Sequence, residues 1–185
     1  MNVFKIFALV VISLASISCS SDDEGSSENL DFGNFELSVT GDFTQETNGF
    51  ADFDSLSAFG VNSWEISMND INPSTVSLQL SLVSSTGEVS QPSPGTYEIG
   101  FDANSSDVFS AIYVHIPDGN FFETVEYTTF STADQAYGGS LIIETSNANV
   151  VSGSFNFTAA KVDDDFNVIG EIAVSGEFNA RKRMN

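Results

Sequence analysis

The chain has 185 residues, 41% of them hydrophobic, with 17 Phe and 14 Gly. It carries 26 acidic residues against five basic ones, a net charge of -21, and between Leu30 and Ala180 the only basic residue is Lys161. Such a surface repels phosphate backbones, which excludes nucleic acid as a partner and argues against electrostatic adhesion to anionic membrane; the apolar content excludes a wholly disordered chain.

Residues 1–18 read as a signal peptide. Lys5 supplies a positive start, and Ile6 to Ile17 is a 12-residue, mostly apolar run, too short to span a bilayer. It ends at Cys19, the only cysteine, which therefore has no internal disulfide partner. The stretch Ser16-Ile17-Ser18-Cys19 resembles the lipobox of bacterial lipoproteins, with Ser16 standing where Leu is usual. That resemblance implies cleavage before Cys19 and lipidation of it; the alternative is an ordinary signal peptide followed by a free thiol. Residues 19–31 then form the lipidated cysteine and a flexible acidic tether, rich in Ser, Asp and Glu. Its r.m.s. reach is roughly 20 Å. The cluster Asp22, Asp23, Glu24 resembles the surface-export signal of Bacteroidetes lipoproteins. The resemblance implies a lipid anchor in the outer membrane with the domain at the cell surface; the alternative is a hydrophilic spacer on a periplasm-facing protein.

Residues 32–181 read as a single β-domain, followed by a basic tail at 182–185. Phe35, Leu37 and Val39 alternate in Asn34 to Thr40, the period of a strand with one buried face. Asn48-Gly49 reads as a turn leading into Phe50 to Asp54. Trp64, Ile66 and Met68 alternate in Ser63 to Asp70, and Val76, Leu78, Leu80 and Leu82 in Thr75 to Val83. Two prolines make Ser90 to Gly95 a loop before a short strand at Gly95 to Gly100. Phe109 to Ile116 is apolar on both parities and is expected to be covered on both faces. Pro117 to Asn120 is a turn, Phe121 to Phe130 a returning strand, and Ser140 to Thr145 another. Asp102 to Val108 and Thr132 to Tyr137 have room for one helical turn each.

The closing segments VSGSFNFTA (Val151 to Ala159) and VSGEFNA (Val174 to Ala180) repeat one motif around a polar connector. They read as a long hairpin at the centre of the sheet. The whole is therefore an all-β domain, an antiparallel sandwich or flattened barrel of about ten strands with little or no helix. The Gly153, Phe155, Phe157, Ala159 strand followed by Val174, Gly176, Phe178, with GTYEIG at Gly95 to Gly100 upstream, resembles a group of Bacteroidetes lipoprotein domains. That resemblance implies a β fold and a surface location, and no activity.

The chemistry points away from catalysis. The single histidine, His115, has no sequence neighbour to form a triad or a metal set, and no Gly-x-Ser-x-Gly or phosphate loop is present. Glu123 and Glu126 are three apart and face opposite ways in a strand, while Glu171 and Glu177 lie about 20 Å apart along one. No enzyme is expected and no catalytic residue is assigned.

Asp163-x-Asp165-x-Asn167 copies the first three ligand positions of an EF-hand loop. Val168 and Val174 stand where that loop needs Gly and Glu, so the candidate is a looser calcium site, against a merely charged hairpin tip. Trp64, Tyr113, Phe122 and Tyr127 are candidates for stacking a sugar ring, against roles in the core. The expected function is a non-catalytic binding module for glycan, protein or another envelope component. The alternatives are a structural accessory subunit of an outer-membrane complex and, third, a secreted-type hydrolase.

Overall fold

A computed structural model describes residues 32–58, 61–70, 75–84, 89–101, 107–130 and 135–183. They belong to one compact unit, Asp31–Asn185. The expected signal peptide, Cys19, the tether and Asp22, Asp23 and Glu24 lie outside the described residues.

The domain is all-β, as its period-two patterning requires. Among the described residues ten strands follow in order: β1 (Asn34–Gly41), β2 (Gln45–Ala58), β3 (Val61–Asn69), β4 (Val76–Ser84), β5 (Gly95–Ile99), β6 (Val108–His115), β7 (Val125–Thr128), β8 (Gly139–Ser146), β9 (Val150–Val162) and β10 (Val168–Lys182). Among the described residues the only helical elements are two single 3-10 turns, Pro117–Gly119 and Phe121–Glu123.

The pairings close on themselves, so the sheet is a flattened barrel. One end holds the β1–β2, β3–β4, β6–β7 and β9–β10 connections; we call it the distal end. There the circuit runs β1-β2-β3-β4-β6-β7-β9-β10 and back to β1. At the other, terminal end it runs β2-β3-β4-β6-β5-β8-β9-β10 and back to β2. Each circuit has eight strands, a size whose interior side chains just fill. The filling is the alternating apolar set of every long strand, including Val39, Ile66, Leu80, Phe109, Leu141, Phe157 and Val174. Past the β9–β10 tip, the outward positions of β9 and β10 are mostly Ser, Asn, Thr and Glu, the reverse of a lipid-facing barrel. With its own core and closed ring, Asp31–Asn185 has what a domain needs to fold alone.

The pairing is antiparallel except at two short parallel stretches, β5 with β6 and the end of β10 with β2. The second corrects the expected basic tail. Arg181 and Lys182 pair with Asp52 and Phe53, and the Arg183 amide donates to the Phe53 carbonyl at 3.0 Å. The strand continues beyond 181 because the open edge of β2 offers it a ladder.

Three other local expectations change. Asn48-Gly49 is not a turn but lies within β2, where the strand exchanges β1 for β3 as partner: Gly49 faces Phe35, and Phe50 faces Asn69. A Cβ at 49 would strike the Asn69 carbonyl and stand 2.8 Å from Phe35 Cε1, so only glycine lets the three strands meet. Phe121 to Phe130 is not one strand; Phe121–Glu123 is a 3-10 turn and only Val125–Thr128 pairs. On β6, Phe109, Ala111 and Tyr113 are buried, whereas Ile112 and Val114 on the outer face are half-buried. Residues 102–106 and 132–134 of the two candidate helical turns lie outside the described residues; Val108 begins β6, and Gln135 to Tyr137 are not helical.

Candidate functional site

The distal end gathers most of the polar chemistry of the domain, and three tyrosine hydroxyls organise it. Tyr127 comes from β7, and its hydroxyl donates to Asp42 Oδ2 at 3.0 Å. Asp42 sits just past β1, where Gly41 has φ 122 and the Asp42 amide donates to the Glu171 carbonyl at 3.0 Å. Tyr137, ahead of β8, donates to Glu171 Oε1 at 2.6 Å. Tyr113 of β6 donates to Gln45 Oε1 at 3.4 Å, and Gln45 Nε2 donates to Thr75 Oγ1 at 2.9 Å. The Thr75 hydroxyl donates on to Asp70, whose carboxylate also accepts from the Thr75 and Val76 amides. Asp70 is buried, and these donors replace the water it loses.

The chain around these hydroxyls makes each of them a poor acid. Tyr127 is pushed up to about 12, first by burial and then by its bond to Asp42. Tyr137 is also pushed up to about 12, first by its bond to the Glu171 carboxylate and then by burial. Burial raises Tyr113 further, helped by the negative charge of Asp70. All three are therefore pinned hydrogen-bond donors with their rings indoors.

Phe43, in the β1–β2 turn, roofs the same region. Its ring stacks on His115 with centroids 4.3 Å apart and planes 24° apart, and it tilts against Tyr113 and Tyr127 at 6.2 and 6.0 Å. Burial lowers the His115 pKa, with Asp118 pulling the other way, and its Nδ1 is buried with no hydrogen-bond partner. The neutral imidazole here serves as a packed ring.

The expected stacking residues separate sharply. Trp64, Tyr113 and Tyr127 are buried, so none presents a ring face to solvent. Trp64 packs between Phe53 at 5.8 Å and, edge-on, Phe109 at 6.2 Å. Alternation had already put it on the inner parity with Ile66. Phe122 is the opposite: it is 99% exposed, and its neighbour Phe121 is 65% exposed.

The expected calcium ligands Asp163, Asp165 and Asn167 sit in a turn closed by hydrogen bonds. Asp163 Oδ1 accepts from the Asp165 and Asn167 amides at 3.0 and 2.9 Å, and Asn167 Nδ2 donates to the same carboxylate. These bonds, led by the Asn167 side chain, hold the Asp163 carboxyl below its usual range. Asn167 thus turns a donor, not an oxygen, towards Asp163, and Phe166 has the positive φ of 66 that closes the turn. Among the described residues no group of three or more His, Cys, Asp or Glu stands close enough to hold a metal ion.

A second polar cluster lies on the outer face of β2 and β3. Arg183 Nη2 and Nε reach Asp52 Oδ1 at 2.6 and 3.0 Å, Nη1 reaches Glu65 Oε1 at 3.4 Å, and Nη2 donates to Ser67 Oγ at 3.1 Å. Gln79 Nε2 covers the other Glu65 oxygen at 2.5 Å. Neither this clamp nor the tyrosine pins left a mark in the sequence: the partners are 34 to 131 positions apart.

A shallow groove of about 240 Å³ runs over the outer face of β1, β10 and β9, lined by Ser38, Thr40, Asn156, Thr158 and Ser175. Comparison with protein-family models, curated proteins and solved structures found no match.

Proposed function

We propose that the protein is a non-catalytic binding module carried at the cell surface by a lipid on Cys19, and that its distal end faces outward to meet its ligand. The observation that carries this reading is the polarity of the barrel. Phe32 and Gly33, which follow the tether, lie at the terminal end, where the Gly33 carbonyl accepts from Ala51. The chain then runs through β1, about 27 Å, before it reaches Asp42 at the distal end. The distal end carries the pinned tyrosines and, on its loops, the exposed Phe121, Phe122 and Phe166. A rigid closed barrel that holds apolar loop tips away from its tethered side suits recognition: the scaffold is fixed and the loops vary. Its polar centre is consumed by structural hydrogen bonds, which favours binding over chemistry.

The test uses intact cells. Cys19→Ala should move the protein out of the membrane fraction, and Asp22→Ala/Asp23→Ala/Glu24→Ala should protect the domain from added protease. Fractionation unchanged by the first variant rejects the anchor; accessibility unchanged by the second rejects the export signal.

A further inference from the structure

We propose that the distal end is a docking surface for a basic, amphipathic polypeptide segment, with Phe121 and Phe122 as its apolar anchors. This deepens the binding-module reading and rests on it for location only.

The β6–β7 connection is built to hold two phenylalanines in water. Ile116 accepts from the Gly119 amide at 3.2 Å, Pro117 from Asn120 at 2.8 Å, and the Asn120 backbone carbonyl from Glu123 at 3.0 Å. Asn120 Oδ1 also accepts from the Phe122 amide at 3.2 Å. Asp118 takes a φ of 52, tolerable for Asp. Ile116, Pro117, Gly119, Asn120, Phe122 and Glu123 are thus tied by local hydrogen bonds, yet Phe121 and Phe122 point out. A flexible loop would collapse such rings onto the barrel; a fixed one keeps them exposed and loses little entropy on binding.

The same end carries a second apolar tip. Thr128 pairs antiparallel with Ala160, so the start of β7 and the end of β9 lead in one direction. The β9–β10 tip bears Phe166, Val168 and Ile169, exposed by 56%, 36% and 55%. Large apolar side chains gathered on two loops of one end mark an interaction site more often than scattered single ones do.

Charge selects the occupant. The segments 41–45, 116–125 and 162–169 contain Asp42, Asp118, Glu123, Asp163, Asp164 and Asp165 and no Lys or Arg. An anionic bilayer would be repelled, and so would a second copy of a chain with net charge -21. A segment with apolar side chains on one face and Lys or Arg beside them would meet both features at once.

The test uses the chain from Ser20 onward, which keeps the whole barrel, and a synthetic Leu/Lys amphipathic helix as probe. Titration calorimetry should show saturable one-to-one binding that weakens with salt. Replacing Leu by Ser, or Lys by Glu, in the probe should weaken it at least about tenfold. Phe121→Ser/Phe122→Ser should do the same with little change in the urea midpoint, since Phe122 is wholly and Phe121 mostly in water. Asp163→Asn/Asp164→Asn/Asp165→Asn should flatten the salt dependence. Absence of binding overturns the proposal, as does binding indifferent to the Phe pair or to the probe's Leu residues. A neutral glycan whose binding requires Phe121 and Phe122 while the peptide's does not would also overturn it. None of these results bears on surface display, which the Cys19 and acidic-cluster variants test separately.

Discussion

Phe155 stands directly opposite Gly176 across the β9–β10 ladder, its Cζ 2.8 Å from where a Cβ on residue 176 would stand. The ring occupies the space that the missing side chain leaves. Leu37 Cβ lies 2.9 Å from the same point, and the Glu36 carbonyl is closer still. Gly153, the matching position of the other strand, faces Phe178, but its neighbour at the empty Cβ position is backbone: the Ile142 carbonyl of β8, beside the register shift between Ile143 and Thr145. Two glycines with the same sequence context therefore both admit a neighbouring strand, β1 at Gly176 and β8 at Gly153, and Gly176 admits an aromatic ring as well.

Gly176→Val should destabilise the domain by about 1–3 kcal/mol through overpacking, and Gly153→Val by at least as much, because β8 has no flexible side chain to move aside. Urea melts of the two variants check this. Equal stability to the parent would show that these positions face water.

Alkaline pH should expose the tyrosine pins. Tyr127 and Tyr137 are held near 12 when folded, against 10.0 for a free phenol. The folded state thus keeps protons that the unfolded chain releases. Their contribution is intact below pH 10 and is lost as pH rises towards 12. Urea midpoints measured from pH 8 to 12 should fall, and Tyr127→Phe/Tyr137→Phe should flatten that fall. A parallel decline in parent and variant would remove these tyrosines from the account.

Arg183→Met should cost about 1–2 kcal/mol, because it leaves Asp52 and the buried Glu65 without their cation while keeping the apolar stem. Arg183→Lys should recover only part, since an ammonium cannot reproduce the fork that spans both carboxylates and Ser67. Burial already raises the Asp52 pKa against the pull of Arg183. The deficit of the Met variant should therefore shrink on acidification as Asp52 protonates. Urea melts of parent and variants at neutral and acid pH read both effects; a deficit independent of pH would refute the charge argument.

His115 should titrate below 6.5 in an NMR experiment, because burial under Phe43 disfavours the imidazolium more than Asp118 favours it. With a depressed folded pKa, its contribution to stability is present above 6.5 and is lost as pH falls through the folded value. Phe43→Ala, which unroofs the ring, should bring the midpoint back up. A parent midpoint at or above 6.5 contradicts this.

Parity along the chain was enough to place β1, β3, β4, β8, β9 and β10 and to sort their inward from their outward residues, because a strand's two faces alternate by covalent geometry alone. Composition alone gives the acidic character of the distal loops. Closure of the barrel decided the rest. Asn48-Gly49 has the chemistry of a turn, and only the meeting of β1, β2 and β3 made it the middle of a strand. Phe121-Phe122 has the composition of a strand, and only the tie of Asn120 to the Phe122 amide made it an exposed corner. Asp42 and Tyr127, 85 positions apart, came together because β1 ends and β7 begins at the same rim. Such contacts depend on how the ring of strands shuts, and no local pattern of residues encodes that geometry.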